Sequence, residues 1–407
     1  MYDLLKGLRL VEGASFIAAP LCGLTFVQLG ADVIRFDPIG GGPDFRRWPL
    51  APGGLSLYWE GLNKGKRSIA LNLDRPEGRE LAVALATAPG TNAGCFLTNY
   101  PAKGFLSHDR LRAHRDDLIT VRVTGSSNGH NALDYTVNCA AGYPQMTGSA
   151  HQNAPVNHVL PAWDIAAGLT AAVSLLAALH KRNLTGEGRE IRVPLSNVAF
   201  ATLSVLGNLG EVATTGQDRE RYGNALYGSF GRDFATADGR RIMIVAITKR
   251  QWKGLVVSLE LGLEIEALQQ RLGVDFTADE SARFLHRDVL FSMVEDALGR
   301  RHFGGLPELF DQHGVCWGEY QSVKQAIDRD PRLSVANPMF ERITHPSGET
   351  YLAAGFPGVL AGSEREPVRP APQLGAHTDQ ILEEDLGLSG GEIGRLHDAG
   401  IVAGPAA

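Results

Sequence analysis

The sequence predicts an α/β fold, a doubly wound parallel sheet accompanied by a smaller α+β unit, and three observations point to it. Short apolar segments alternate with longer helix-like ones through the first 130 residues. A long apolar helix follows between Trp163 and His180. Glycine is abundant, at 48 of 407 residues, roughly 12% against a usual value of about 7%. That surplus fits the tight turns and close backbone approaches of α/β enzymes that bind large ligands.

The elements follow in order. LRLVEGA is a short strand, SFIAAPLCGLTFVQLGA a helix and DVIRFD a second strand, all within about 30 residues, which is the βαβ unit of a parallel sheet. RSIALNL (67–73), RPEGRELAVALAT and GCFLTNY (94–100) repeat the pattern, and LITVRVTG (118–125) adds a strand. WDIAAGLTAAVSLLAALH (163–180) is apolar nearly all round and therefore buried, and TGEG (185–188) stops it. EIRVPL begins another buried segment, NVAFATLSVLGNLGEVA is helical, and the charged stretch 211–223 reads as a linker. Residues 229–247 form a hairpin turning at Ala237-Asp238-Gly239, with helices to about Leu309. A return strand pair is expected between 337 and 370, then two helices between 379 and 402.

Composition narrows the function. Hydrophobic residues at 44% and charged residues at 21% exclude a disordered chain or a fibre. The net charge of −6 offers no basic field for nucleic acid. Cys22, Cys95, Cys139 and Cys316 show neither a CxxC nor a metal-ligand spacing, so no metal site is expected and a reducing cytoplasm fits. The N-terminus lacks a signal-peptide pattern, and the uncharged runs are too short, or too interrupted by proline and amides, for membrane spans.

Four groups of residues can carry chemistry. Asp164 stands at the start of the apolar helix, where the helix dipole favours a carboxylate; on the residues alone it reads first as a helix cap, with a nucleophile as the alternative. Lys64, Lys66 and Arg67 crowd a turn before a strand, as phosphate contacts or as solvated cations. DPIGGGPDFRRW (37–48) offers a glycine turn with Arg46 and Arg47, without the GxGxxG or P-loop pattern. His130 lies near Asp134 and Tyr135, a possible proton-exchanging pair or a loop histidine. No GxSxG is present, so serine hydrolase chemistry has no support.

On these residues the chain is similar to the family III CoA-transferases, the superfamily that also holds α-methylacyl-CoA racemase. The opening GLRLVEGASFIAAPLCGLTFVQLGADVIRFD resembles the family's first βαβ unit, NKGKRSIALNL (63–73) the approach to its third strand, and LTNYPAKG (97–104) a strand-end loop containing Asn99. DYTVNCAAGYPQMTG (134–148) resembles a stretch with a functional tyrosine, matching Tyr135. WDIAAGLTAAVSLLAALHKRNLTGEGREIRVPL (163–195) resembles the helix that bears the family's nucleophilic aspartate, which falls on Asp164. GNALYGSFGRDFATADGR (223–240) and PAPQLGAHTDQILEEDLGLSGGEIGRLHDAGIV (370–402) extend the likeness across essentially the whole chain.

The resemblance implies an interlocked homodimer. Each chain would have a large Rossmann-like CoA-binding domain built from 1–211 and 326–407, with a small domain at 212–325. It implies an acyl-CoA thioester as substrate, coenzyme A being part of that substrate and not a tightly bound cofactor. Asp164 would be the nucleophile and Tyr135 a donor near the acyl group. Lys64, Lys66, Arg67 and Asn99 would contact CoA, and Arg46 and Arg47 a phosphate or the substrate carboxylate.

Departures narrow the subclass. The racemases place a histidine four residues before the tyrosine, whereas His130 stands five before Tyr135, and their later glutamate is replaced by Ala246-Ile247-Thr248-Lys249. The formyl-CoA transferases' glutamine and glycine are Ile17 and Ala19, their arginine is Pro38, and their poly-glycine flap is missing. The texture of DPIGGGPDFRRWP, GLNKGKRSIA, VNHVLPAWDI and GNALYGSFGRDF is most like members that move CoA between the two carboxyl groups of one acid, mesaconate. Intermolecular transfer to another acid, and racemisation with His130 and Asp164 as bases, are the alternatives.

Overall fold

A computed structural model describes residues 1–151 and 153–405. Its contacts divide the chain into two compact units, one of Met1–Ala141, His158–Gly210 and Asp330–Ala407, the other of Gly142–Asn157 and Glu211–Arg329. The segment 142–157, which the sequence reading left in the large domain, belongs to the second unit. There the Val156 N–H donates to the Pro144 carbonyl, and the Arg221 guanidinium donates to the carbonyls of Gln145 and Ala154.

The first unit opens with β1 (Arg9–Gly13), α1 (Ala18–Gln28), β2 (Asp32–Pro38), α2 (Leu57–Asn63), β3 (Arg67–Leu71) and α3 (Pro76–Ala86). It continues with β4 (Cys95–Thr98), α4 (His108–Arg112), β5 (Ile119–Thr124) and α5 (Asp134–Ala140). After α6 (Tyr143–Met146) in the second unit, the chain returns with α7 (Ala162–Thr185), β6 (Arg189–Pro194) and α8 (Leu195–Val205), and α9 (Asn208–Thr215) spans the boundary. The second unit then holds β7 (Phe230–Ala235), β8 (Arg241–Ala246), α10 (Lys249–Ser258), α11 (Gly262–Leu272), α12 (Glu280–Leu285), α13 (Arg287–Leu298), α14 (Leu306–His313), β9 (Cys316–Glu319) and α15 (Val323–Arg329). β10 (Phe340–Thr344), β11 (Thr350–Ala354), α16 (Thr378–Glu384), α17 (Gly390–Asp398) and β12 (Val402–Ala403) complete the first unit.

The central sheet runs β12-β3-β2-β1-β4-β5-β6, parallel throughout except for β12, which pairs antiparallel with β3. Without β12 this is the strand order of a doubly wound Rossmann sheet, the α/β class the sequence predicts. One face is apolar, with Val11, Ile34, Phe36, Ile69 and Phe96 packed against Leu85, Ile381, Leu382 and Ile393. The other face carries Glu12, Arg35 and Asp37, all fully buried, so their charges must be matched internally. Arg35 meets both Asp37 oxygens at 2.8 Å and reaches Asp44, Glu12 and Asn63, while Lys66 Nζ lies 2.8 Å from Glu12 Oε1.

Helix α7 is longer than its uncharged run, because Lys181, Arg182 and Asn183 continue it to a left-handed Gly186 that takes the cap. Among the described residues it is the one helix long and apolar enough to cross a bilayer. Ala167, Ala171, Leu175 and Ala178 bury one side of it in the first unit. The fit against α1 is close: a Cβ on Gly168 would sit 2.6 Å from the Ala18 carbonyl oxygen. The second unit has a three-stranded antiparallel sheet, β7-β8-β9, over a core of Phe230, Phe234, Trp252, Phe276, Phe291 and Phe310. The expected hairpin is β7-β8, and β9, a four-residue strand, was not read from the sequence.

Candidate active site

In a doubly wound sheet the ligand crevice lies beyond the carboxyl ends of the strands where their order reverses, here between β1 and β4. The side chain of Asn99, just past β4, clasps the chain leaving β1: its Oδ1 accepts the Ser15 N–H at 3.1 Å and its Nδ2 donates to the Ser15 carbonyl at 2.7 Å. The next residue, Phe16, has φ of 70°, a left-handed conformation costly for a bulky side chain. Asp44 holds it there by accepting the Phe16 N–H at 3.1 Å.

Helix α7 starts with two N–H groups that have no acceptor inside the helix, those of Trp163 and Asp164. Asp134, the first residue of α5 and buried, supplies the acceptor for both: its Oδ2 lies 2.6 Å from Trp163 N and 3.1 Å from Asp164 N. Its Oδ1 accepts from His158 Nε2 at 2.6 Å. Capping is therefore done by Asp134, and the sequence reading of Asp164 as the cap is corrected. The Asp164 carboxyl is pushed up to about 6, first by burial and then by the Asp134 charge, with the Arg47 guanidinium working the other way.

Arg47 lies between two rings, 5.6 Å from the centre of Phe16 and 5.4 Å from that of Tyr58. Among the described residues the buried Tyr58 hydroxyl has no hydrogen-bond partner, and burial, with Asp164 among the nearby charges, keeps it protonated well above the usual phenol range. Tyr135 follows Asp134 on α5 and is 42% exposed, its ring edge-on to His158 at 5.8 Å. His130 is exposed, and the imidazole that pairs with Asp134 is that of His158.

Of the expected CoA contacts, Arg46 lines a cavity of about 400 Å³ with Ile39, Phe45, Trp59, Pro372 and Leu374. Among the described residues, the buried Trp59 indole N–H has no hydrogen-bond partner. The Lys64 ammonium donates to the Gly61 carbonyl at 2.8 Å, and burial lowers its pKa to about 8. Lys66 is 2% exposed, with Nζ ringed by both Glu12 oxygens, the Pro20 carbonyl and Asn63 Oδ1, which leaves no proton for a phosphate. Arg67 is tied to Asp32 and Asp385. Both cations are engaged inside the fold in this geometry. Among the described residues, no three His, Cys, Asp or Glu side chains gather as a metal site.

A half-buried carboxylate, relieved of capping and faced by a cation and a phenol, is equipped for acyl transfer through a covalent intermediate. The chain matches the sequence model of CoA-transferase family III over residues 5–378 and belongs to that family of enzymes. It is 50% identical over 406 residues, 100% of this chain and 99% of the relative, to 2-methylfumaryl-CoA isomerase of Chloroflexus aurantiacus. It is 26% identical to (R)-2-hydroxy-4-methylpentanoate CoA-transferase of Clostridioides difficile, covering 98% of this chain and 99% of that one. Among solved structures, a CaiB/BaiF family protein from Brucella suis superposes with a TM-score of 0.76 at 25% identity, covering 94% of this chain and 100% of that one.

Proposed function

We propose that this enzyme moves CoA between the two carboxyl groups of mesaconate, converting 2-methylfumaryl-CoA to 3-methylfumaryl-CoA within one molecule. The choice of acid rests on the full-length 50% identity to 2-methylfumaryl-CoA isomerase. The mechanism rests on one observation, that Asp134 caps α7 and leaves the Asp164 carboxylate for chemistry.

In this mechanism an Asp164 oxygen attacks the thioester carbonyl and CoA thiolate leaves, giving a mixed anhydride. The thiolate attacks the aspartyl carbonyl, releasing mesaconate and forming aspartyl-CoA. Mesaconate reorients, its other carboxylate attacks aspartyl-CoA, and thiolate leaves again. Attack of that thiolate on the new mesaconyl carbonyl returns Asp164 as carboxylate. No proton is gained or lost, so no general base is required. Water must be excluded from the anhydride, a need met by the apolar setting of α7.

Arg47, next to the cavity-lining Arg46 and within electrostatic reach of Asp164, is the partner for mesaconate's free carboxylate. Arg46, Lys64 and Asn99 remain the CoA contacts, and Tyr135 the donor near the acyl group. The outward apolar side chains of α7 and α8, Val173, Leu176, Leu184, Phe200 and Val205, support a homodimer of interlocked chains.

The test is mesaconyl-CoA incubated with labelled free mesaconate in millimolar excess, beside a saturated 2-methylacyl-CoA incubated in deuterated water. Transfer within one molecule moves the thioester with little label, because the held acid outcompetes the free one. Label entering as fast as isomerisation makes the protein an intermolecular transferase, and deuterium entering the α-carbon of the saturated thioester makes it a racemase.

A further inference from the structure

The partner that orients the Asp134 cap is a histidine from a segment with no regular structure, and the established family membership gives it no role. His158 approaches Asp134 from the strap preceding α7, its Nε2 2.6 Å from Oδ1. Its ring lies edge-on to Tyr135 and tilted against Trp163, at 5.8 and 6.5 Å between ring centres. Asp134 is 1% exposed, so both its oxygens depend on protein donors. One oxygen has the two helix N–H groups and the other has His158.

If Asp134 swung away, the N–H groups of Trp163 and Asp164 would lose their acceptor. Asp164, the acidic residue of that first turn, is then a replacement, since a carboxylate there is drawn to the free N–H groups of its own helix. A nucleophile folded back in that way is neutralised by its own backbone. We propose that His158 is a positioning residue for Asp164: by anchoring Asp134 as the cap of α7, it keeps the Asp164 carboxylate turned towards the substrate. This inference rests on the reading of Asp164 as the nucleophile.

The charged and titratable groups that act on Asp164 come from three segments, Asp134 from α5, Arg47 from the loop after β2 and Tyr58 from α2, while His158 from the strap and Tyr135 from α5 stand behind Asp134 and Tyr58. Removing charge from Asp134 while keeping its acceptor therefore separates capping from electrostatics. Asp134→Asn retains an oxygen for the two N–H groups and loses the repulsion that raises Asp164.

The experiment compares His158→Ala, His158→Gln, Asp134→Asn and Asp134→Ala, with kcat and KM for mesaconyl-CoA measured across pH 5–9. Loss of the anchor in His158→Ala should lower kcat about 10- to 100-fold with KM within about twofold, the size of effect expected from misplacing a reacting group. Glutamine, which can still donate to Asp134, should recover most of that loss. Asp134→Asn should stay well above Asp134→Ala in kcat, with the acid limb of its profile moved to lower pH. An Ala variant at position 158 with wild-type kcat, or a Gln variant no better than Ala, overturns the positioning role. Should either Ala variant fail to fold, the Gln and Asn variants decide. Hydroxylamine trapping of wild-type Asp164 during turnover is run alongside. If trapping fails, the nucleophile reading falls and takes the positioning role with it, whereas trapping with an indifferent His158 removes the positioning role alone.

Discussion

Asp134 Oδ2 accepts the backbone N–H of Asp164 at 3.1 Å, so Asp134 performs the capping task that the Asp164 side chain does not. The same closeness sets two negative charges against each other at the head of an apolar helix. Burial and that repulsion both favour the protonated form of Asp164.

A pH-dependent cost to the fold follows. With its carboxyl pushed up to about 6, Asp164 binds its proton more tightly in the folded chain than in the unfolded one. Its contribution to stability therefore falls as pH rises from about 4 to 6. Asp164→Asn should be more stable than wild type above pH 7, by on the order of 1–3 kcal/mol, with the advantage shrinking towards pH 4. Urea melts of the two proteins across this range measure it. Wild-type turnover, which needs the ionised form, should reach half its plateau near pH 6 on the acid side.

Arg47 favours the ionised form of Asp164 and is the proposed partner of the substrate's free carboxylate. Arg47→Gln should move the acid limb to higher pH and lower kcat/KM about 10- to 100-fold, the scale of one charge-assisted hydrogen bond. The affinity for an acyl-CoA that lacks the second carboxylate, measured as inhibition, should weaken far less. Equal losses for substrate and inhibitor would remove Arg47 from carboxylate recognition.

Lys66 tests whether its buried ion pair is a structural one. Lys66→Met leaves Glu12 without its closest cation inside the sheet, and should destabilise the protein by about 3–5 kcal/mol. A thermal melt registers this directly. A variant with unchanged stability and a raised KM for acyl-CoA would restore the phosphate contact.

Much of the sheet was legible because β1, β2, β4 and β5 are short apolar runs set between helix-like segments, and α7 because 163–180 is almost uninterrupted apolar sequence. Helix α2 was not read, being seven residues long with a glycine inside it. Lys66 looked solvated because its sequence neighbours are cations, and its true partner, Glu12, is 54 residues away on another strand. His130 looked like the partner of Asp134 by nearness in sequence. The actual partner, His158, is 24 residues on, in a stretch without periodicity, and only the fold brings the two together. Tyr58 was hidden for the same reason.

His130 is exposed and the proposed transfer moves no proton, so His130→Ala should cost at most about tenfold in kcat, whereas losing a general base costs roughly 100- to 10,000-fold. Steady-state turnover of mesaconyl-CoA measures it. A loss in the larger range would make His130 a required proton carrier and contradict a transfer that moves no proton.

The most direct measurement is to quench the enzyme with borohydride or hydroxylamine during turnover of mesaconyl-CoA and map the modified peptide by mass spectrometry. The proposed mechanism predicts modification at Asp164 alone in wild type, dependent on substrate, and none in Asp164→Asn, which should still bind CoA but turn over at least about 1,000-fold more slowly. Turnover with no modification at Asp164, or an Asn variant of substantial activity, would contradict it.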